Sequence, residues 1–261
     1  MMTISRREFV ALAGGSAAIS PLGWIRRSTG AGRSPALRFR AAAFDAFAVF
    51  DPRPVFRLAD EMFPGLGLSA EWRTRQFEYS WLRAAAGRYV DFWQVTEEAL
   101  AFAARSLNLE VNAATRSALM NAYLELKTWP DVLPAIKRLR GAGLRLAFLS
   151  NFTPGMLDAN IKGAGLHGMF DEVLSTDQSR TYKPDPRAYR LGVDALRTTR
   201  EEILFVAFAG WDAAGAKMFG YPTYWVNRQR LPAEELGVVP DGSGETLSNL
   251  VDFLGMAEGW K

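Results

Sequence analysis

The stretch Ala41-Ala42-Ala43-Phe44-Asp45-Ala46-Phe47-Ala48-Val49-Phe50-Asp51 decides how this chain is read. Four apolar residues without a polar interruption suit a parallel strand buried on both faces, and Asp45 stands where that strand ends. After Pro130 the same grammar returns. Val132 to Gly141 reads as a helix closed by Gly141 and Gly143, Leu144 to Leu149 as a strand ending at Ser150-Asn151, and Pro154 to Gly163 as a helix. Asp171 to Ser175 reads as a short strand, Asp185 to Leu196 as a helix and Ile203 to Ala207 as a strand. Trp211 to Phe219 then reads as a helix and Pro222 to Val226 as a last strand. Repeated strand–helix units predict an α/β fold, a parallel sheet with helices on both faces. Ligand sites in such sheets form beyond the carboxyl ends of the strands, which is where Asp45, Ser150 and Asp212 fall.

Between the first strand and Pro130 the pattern changes. From about Asp60 to Lys127, Trp72, Phe77, Tyr79, Trp81, Leu82, Tyr89, Phe92 and Trp93 alternate with Arg and Glu, the spacing of amphipathic helices. A helical block inserted there is expected to sit over the strand ends as a cap. The expected division is a core of residues 36–55 and 130–261, a cap of residues 56–129, and a separate stretch at 1–35.

That first stretch holds Ser5-Arg6-Arg7-Glu8-Phe9-Val10 followed by a weakly apolar run from Ala11 to Ile19. It resembles a twin-arginine export signal, which is read by a translocase and is too short and too rich in Gly to span a bilayer. The expected location is therefore periplasmic or otherwise exported, with the twin-arginine translocase as a partner. Arg6, Arg7, Arg26, Arg27 and Arg33 also account for the formal charge of +3, since the remainder carries 26 basic against 27 acidic residues. A near-neutral body gives no electrostatic reason to expect nucleic-acid binding. With no cysteine and one histidine, His167, in an apparent loop, thiol chemistry, a Ser-His-Asp triad and a His-rich metal site are all disfavoured.

Three further segments complete the series opened by Asp45: Leu149-Ser150-Asn151, Tyr182-Lys183-Pro184-Asp185 and Gly210-Trp211-Asp212. In this order and spacing they resemble the four motifs of the haloacid dehalogenase superfamily, which implies a Rossmann-like core with an inserted cap. Phosphatases of that superfamily need a second aspartate two residues after the nucleophile to protonate a leaving alcohol. Phe47 stands there and cannot, whereas a halide leaves without a proton. Asp212 also lacks an adjacent acidic partner, so a magnesium site is poorly supplied, and no metal or cofactor is expected. The stretch Trp72-Arg73-Thr74-Arg75-Gln76-Phe77-Glu78-Tyr79-Ser80-Trp81-Leu82-Arg83 narrows the resemblance to the L-2-haloacid dehalogenases.

The resemblance implies a mechanism. Asp45 attacks the carbon bearing the halogen in line and forms an ester. Arg73, Asn151 and Trp211 cradle the departing halide, with Phe47 beside them, while Ser150 and nearby amides hold the substrate carboxylate. Lys183 keeps Asp45 ionised and oriented. Water then attacks the ester, positioned or deprotonated by Asp212, with Tyr189 lining the site. The substrates implied are short L-2-haloalkanoic acids and the products D-2-hydroxy acids; a homodimer is left open.

The sequence also departs from that family. Ala48-Val49 replaces a usual Gly-Thr, removing a hydroxyl from the nucleophile loop, and Phe208 and Ala209 stand where the family has Ser and Asn. Losing one donor of this kind commonly costs about 2–4 kcal/mol of transition-state stabilisation. A catalytically silent periplasmic binding protein on the same fold is thus the competing class, and a metal-dependent phosphatase the third.

Overall fold

In the computed structural model residues 38–256 are described, and the export signal read at 1–35 lies outside the described residues. Six strands form one parallel sheet: β1 (Ala41–Phe44), β2 (Arg145–Ser150), β3 (Glu172–Ser175), β4 (Ile203–Ala207), β5 (Thr223–Val226) and β6 (Gly242–Gly244). Their order is β3-β2-β1-β4-β5-β6. The chain builds outward from β1 to β3, then returns to the other side of β1 for β4. The order therefore reverses between β1 and β4, and the crevice beyond their carboxyl ends is the natural place for a ligand.

Side chains alternate across a strand, and the alternation here sorts the core into two layers. Ala42, Phe44, Leu146, Phe148, Leu204 and Val206 point to one face, where α6 (Val132–Gly141), α7 (Pro154–Gly163) and α10 (Leu247–Phe253) pack. Ala41, Ala43, Ala147, Leu149, Ile203 and Phe205 point to the other, covered by α8 (Pro186–Leu196) and α9 (Gly210–Phe219). The register places Phe44 beside both Phe148 and Val206, so β1, β2 and β4 end within two residues of one another.

Asp45 caps a one-turn helix, α1 (Ala46–Val49). The chain then enters α2 (Arg53–Met62), α3 (Leu68–Ala85), α4 (Phe92–Ser106) and α5 (Ala113–Asn121). In α3 the buried residues are Leu68, Trp72, Gln76 and Ser80, one every fourth position, which is a single helical stripe. That stripe meets α4 through polar as well as apolar contacts: Trp72 Nε1 donates to Thr96 O at 2.8 Å and Gln76 Nε2 to Thr96 Oγ1 at 2.7 Å. The insertion reaches back to the sheet through Tyr89 Oη, which donates to Asp177 Oδ1 at 2.7 Å, and Val90 O, which accepts from Tyr182 Oη.

Four elements go beyond the sequence expectation. The helical block begins at Arg53 with a proline in its first turn, a position that needs no N–H. The turn α1 is too short to show a period. The strand β6 is Gly-Ser-Gly, with no apolar alternation to reveal it. Its glycines are required by close approach, since a Cβ at Gly242 would lie 2.7 Å from the Phe253 ring. Helix α10 follows a capping box of Thr246 and Asn249.

Candidate active site

The N–H of Asp45 donates to Val206 O at 3.0 Å, so the β1–β4 ladder continues up to the residue that carries the carboxylate. The side chain turns back over α1, where Oδ2 accepts from Phe47 N at 3.0 Å. Oδ1 accepts from Lys183 Nζ at 2.8 Å, and the same ammonium donates to Asp212 Oδ2 at 2.6 Å. Asp212 lies in the first turn of α9 and accepts a second bond, on Oδ1, from Tyr189 Oη at 2.8 Å. Gly215, one turn along α9, leaves the room for this: a Cβ there would come within 2.6 Å of Tyr189 Oη.

Exposure distinguishes the two carboxylates. The side chains of Lys183 and Asp212 are 1% and 2% exposed, whereas that of Asp45 is 14% exposed. Asp45 is therefore the member that a ligand can reach. Burial alone would lower the Lys183 pKa, but the carboxylates of Asp212 and Asp45 outweigh it and hold the ammonium above the ordinary lysine value. Burial pushes Asp212 up to about 6, partly opposed by Lys183 and reinforced by Asp45. A carboxylate in that range is suited to exchange protons near neutrality.

Beyond the strand ends lies a cavity of about 20 Å³, lined by Asp45, Asp212, Ser150 and Asn151 on the sheet side. Asn151 Oδ1 accepts from Lys183 N at 3.0 Å and from Thr176 Oγ1 at 3.3 Å. The backbone donor fixes the orientation of the amide, so its nitrogen is the end left for a ligand. Ser150 Oγ accepts from Phe152 N at 3.1 Å and keeps its proton to donate.

The helical side of the cavity is built differently. Arg73 lies over the rings of Phe56 and Phe77, at 5.1 and 5.5 Å, and among the described residues it makes no hydrogen bond or ion pair. The neighbouring acids are already occupied, because Arg75 binds Glu71 at 2.9 Å and Glu78 at 2.7 Å. Burial lowers the Arg73 pKa, although guanidinium remains charged. Trp211 stands beside it, edge-on to Phe77 and Trp81 at 5.5 Å each. Phe47 is edge-on to Phe152 at 5.2 Å and to Phe208 at 5.9 Å. Phe208 and Ala209 also line the cavity, and Ala209 is the N-cap of α9 with no side-chain bond to the helix.

Seven of the nine residues singled out from sequence line this cavity, while Lys183 and Tyr189 do not line it but bond to carboxylates that do. Tyr189 is the exception to its expected place. It does not line the cavity but lies behind Asp212, wholly buried among Phe205 and Tyr221, because α8 packs on the sheet face away from α3. Sequence reasoning missed Thr176, which orients Asn151, and Phe92 and Phe152, which complete the wall. No short-range pattern marks them, since each acts through a fold-level contact. Among the described residues no three His, Cys, Asp or Glu side chains form a group able to hold a metal ion.

The family model described as haloacid dehalogenase-like hydrolase matches residues 38–220. The (S)-2-haloacid dehalogenase of Pseudomonas sp. (strain YL) is 44% identical over 223 residues, covering 84% of this chain and 96% of that one. The chain belongs to the L-2-haloacid dehalogenase family of these hydrolases. Among solved L-2-haloacid dehalogenase structures, that of RSc1362 superposes with a TM-score of 0.81 at 41% identity, covering 83% of this chain and 99% of its own. The L-2-haloacid dehalogenase of Xanthobacter autotrophicus with chloropropionic acid covalently bound superposes with a TM-score of 0.76 at 35% identity, covering 84% and 99%.

Proposed function

We propose that this protein hydrolyses the carbon–halogen bond of short-chain L-2-haloalkanoic acids, giving D-2-hydroxy acids through an ester on Asp45. The observation that carries this reading is the pairing of two opposites in one cavity: a carboxylate bonded to the Lys183 ammonium and a cation, Arg73, with no hydrogen-bond or ion-pair partner among the described residues. In the first step Asp45 Oδ attacks carbon 2 and the halide departs with the bonding pair toward Arg73, Asn151 and Trp211. Ser150 holds the substrate carboxylate. In the second step water gives a proton to Asp212 and adds to the Asp45 carbonyl carbon. The acyl C–O bond then breaks, and the departing alkoxide oxygen takes the proton held by Asp212. The remaining proton of the water passes from Asp45 to solvent, which restores the carboxylate and releases the inverted hydroxy acid. Tyr189 acts from behind, fixing Asp212.

The covalently bound chloropropionic acid of the Xanthobacter relative supports the ester. The division into a core of 36–55 and 130–261 and a cap of 56–129 belongs to the same reading, as do export through the signal at 1–35 and activity without a metal. The test is chloride release from L-2-chloropropionate against its D-enantiomer, before and after exhaustive chelation. Release from the L-form alone, giving D-lactate and unaffected by chelation, is the expected outcome. No release from either would favour a silent binding protein, and restoration by magnesium would favour a phosphatase-like member.

A further inference from the structure

The turn α1 has four residues and cannot hold its own shape, since an isolated helical turn is unfavourable. Its amino end is tied to the site by the Phe47 N–H on Asp45 Oδ2. At its carboxyl end three carbonyls need donors from elsewhere, and two distant residues supply them. Trp129 Nε1 donates to Phe47 O at 2.9 Å, Arg228 Nη2 to Ala48 O at 3.2 Å, and Trp129 N to Val49 O at 3.1 Å.

Trp129 occupies the point where the chain returns from the helical insertion. Just before it, Thr128 pairs with Phe50 in an antiparallel bridge and Asp51 N donates to Lys127 O at 2.8 Å. Two guanidiniums lie over the indole: Arg53 at 4.5 Å and Arg228 at 4.4 Å from the ring centroid. Arg53 is fastened to Asp51, and Arg228 to both oxygens of Asp131 at 3.0 and 3.1 Å. Arg228 is 7% exposed, and its Nε is buried without a hydrogen-bond partner among the described residues. An unsatisfied buried donor is costly, so stacking on Trp129 and the bonds of its terminal nitrogens are what set its orientation. The indole is also stacked against Phe208, which packs on Phe47.

We propose that Trp129 is a positioning residue for Asp45: its indole N–H, clamped by Arg53 and Arg228, fixes the turn whose Phe47 N–H orients the nucleophilic carboxylate. The inference rests on Asp45 being the nucleophile. It gives the chain a hold on the nucleophile turn that does not depend on a hydroxyl at Val49, and it couples that turn to the insertion carrying Arg73.

The test replaces Trp129 with 3-benzothienylalanine, which keeps the bicyclic shape and substitutes sulfur for the N–H, and separately with Phe. Because the departures at Phe208 and Ala209 are expected to slow hydrolysis of the ester more than its formation, chloride should appear in a first-turnover burst followed by a slow phase. Each variant is compared with wild type by that burst from L-2-chloropropionate and by backbone amide exchange. The expected result for the benzothienyl variant is a burst slowed about tenfold or more, because small misplacements of a reacting group are costly, with KM changed less than about twofold. The Phe47 and Ala48 amides should exchange at least about tenfold faster while those of β1 and β4 are unchanged. Trp129→Phe should behave similarly, with some added loss of thermal stability. A wild-type burst with wild-type exchange in the benzothienyl variant overturns the proposal. Exchange accelerated equally throughout the sheet also overturns it, by reducing Trp129 to a general packing residue. If wild type itself releases no halide, the reading of Asp45 as nucleophile fails, and the Phe47 exchange then decides alone whether Trp129 holds the turn.

Discussion

On the sheet side of the cavity Asp45, Lys183, Asp212 and Tyr189 are joined by hydrogen bonds of 2.6 to 2.8 Å, whereas on the helical side Arg73 lies over aromatic faces and makes no hydrogen bond or ion pair among the described residues. The first arrangement is complete before any ligand arrives. Its ammonium lies between two carboxylates, and the more buried of these is braced by a tyrosine, so little reorganisation remains when charge moves during reaction. The second arrangement is incomplete: a partly buried cation without an anion is expensive to keep and gains most when a small anion joins it. The contrast separates chemistry that is preorganised from binding that awaits its ligand, and each half can be disturbed alone.

Removing the nucleophile should have the largest effect. Asp45→Asn retains an acceptor for the Phe47 N–H, so the cap of α1 survives, but an amide is a poor nucleophile. Chloride release should fall by roughly 10⁴-fold or more in a protein that still folds but melts lower, because the amide nitrogen cannot accept the bond that Lys183 gives to Oδ1. Substantial release from a folded Asp45→Asn protein would remove Asp45 from the role given to it.

Breaking the sheet-side chain at its centre comes next. Lys183→Met leaves Asp45 and Asp212 facing each other without the cation that holds both, and turnover should fall roughly 10²- to 10³-fold. Lys183 is also what opposes the upward push of burial on Asp212. Without it Asp212 should protonate at a pH above its present value of about 6. A carboxyl raised in the folded state binds its proton more tightly there than in the unfolded chain. The variant should therefore lose stability as pH rises from the unfolded carboxylate range up to that raised value, and hold level above it. Urea unfolding at several pH values measures this, and a pH-independent loss would mean that Asp212 is not the group affected.

The helical side should respond in the opposite sense. Arg73→Gln removes a cation that leaves no ionic partner behind among the described residues, so stability should stay within about 0.5 kcal/mol of wild type. Activity should nevertheless drop about 10- to 100-fold, the worth of a charge-assisted hydrogen bond to the leaving anion, and bromide should inhibit less. A large stability loss would show that Arg73 supports the fold.

These differences bear on what could be read from the sequence. Asp45, Ser150 and Asp212 were legible because each stands at or near the end of a buried strand, where topology sends functional groups, and Lys183 through the motif Tyr182-Lys183-Pro184-Asp185. Arg73 was legible through the aromatic residues at helical spacing around it. The hidden features are those that depend on main-chain partners far along the chain. Trp129 gives no local signal, because the carbonyl it serves lies 82 residues away. Tyr189 was placed in the correct neighbourhood but on the wrong side of Asp212, since periodicity alone does not say which sheet face a helix covers. The strand β6 has no side-chain pattern at all.

Proton exchange at Asp212 should produce a smaller, graded effect. If ionised Asp212 serves the hydrolytic water, the second step should slow as pH falls through about 6. Between pH 7 and pH 5 the ionised fraction of such a group drops about tenfold. The alkylation burst, in which Asp212 takes no proton, should fall less. Equal acid sensitivity of burst and slow phase would detach Asp212 from the second step.

The smallest expected effect concerns Ala209, where the two sides of the cavity meet. Ala209 is the N-cap of α9 in extended conformation, with no side chain bonded to the first turn of the helix that carries Asp212. Asparagine is among the best residues for that position and alanine among the worst, a difference of about 1 kcal/mol. Ala209→Asn should therefore stabilise the protein by about that amount, and by tightening the first turn of α9 it should speed the slow phase after the chloride burst a few-fold. Adding Phe208→Ser restores a second polar group but empties space beside Phe47 and Trp129. Truncating a buried phenylalanine costs about 3–5 kcal/mol, so the double variant should be less stable than wild type even where its slow phase is faster. Intact-mass measurement during turnover separates the two effects. The covalent Asp45 adduct should be most abundant in wild type, reduced in Ala209→Asn and least in the double variant. An adduct level that follows stability instead would mean that the fourth-motif departures tune the fold of α9 and leave the hydrolysis of the ester untouched.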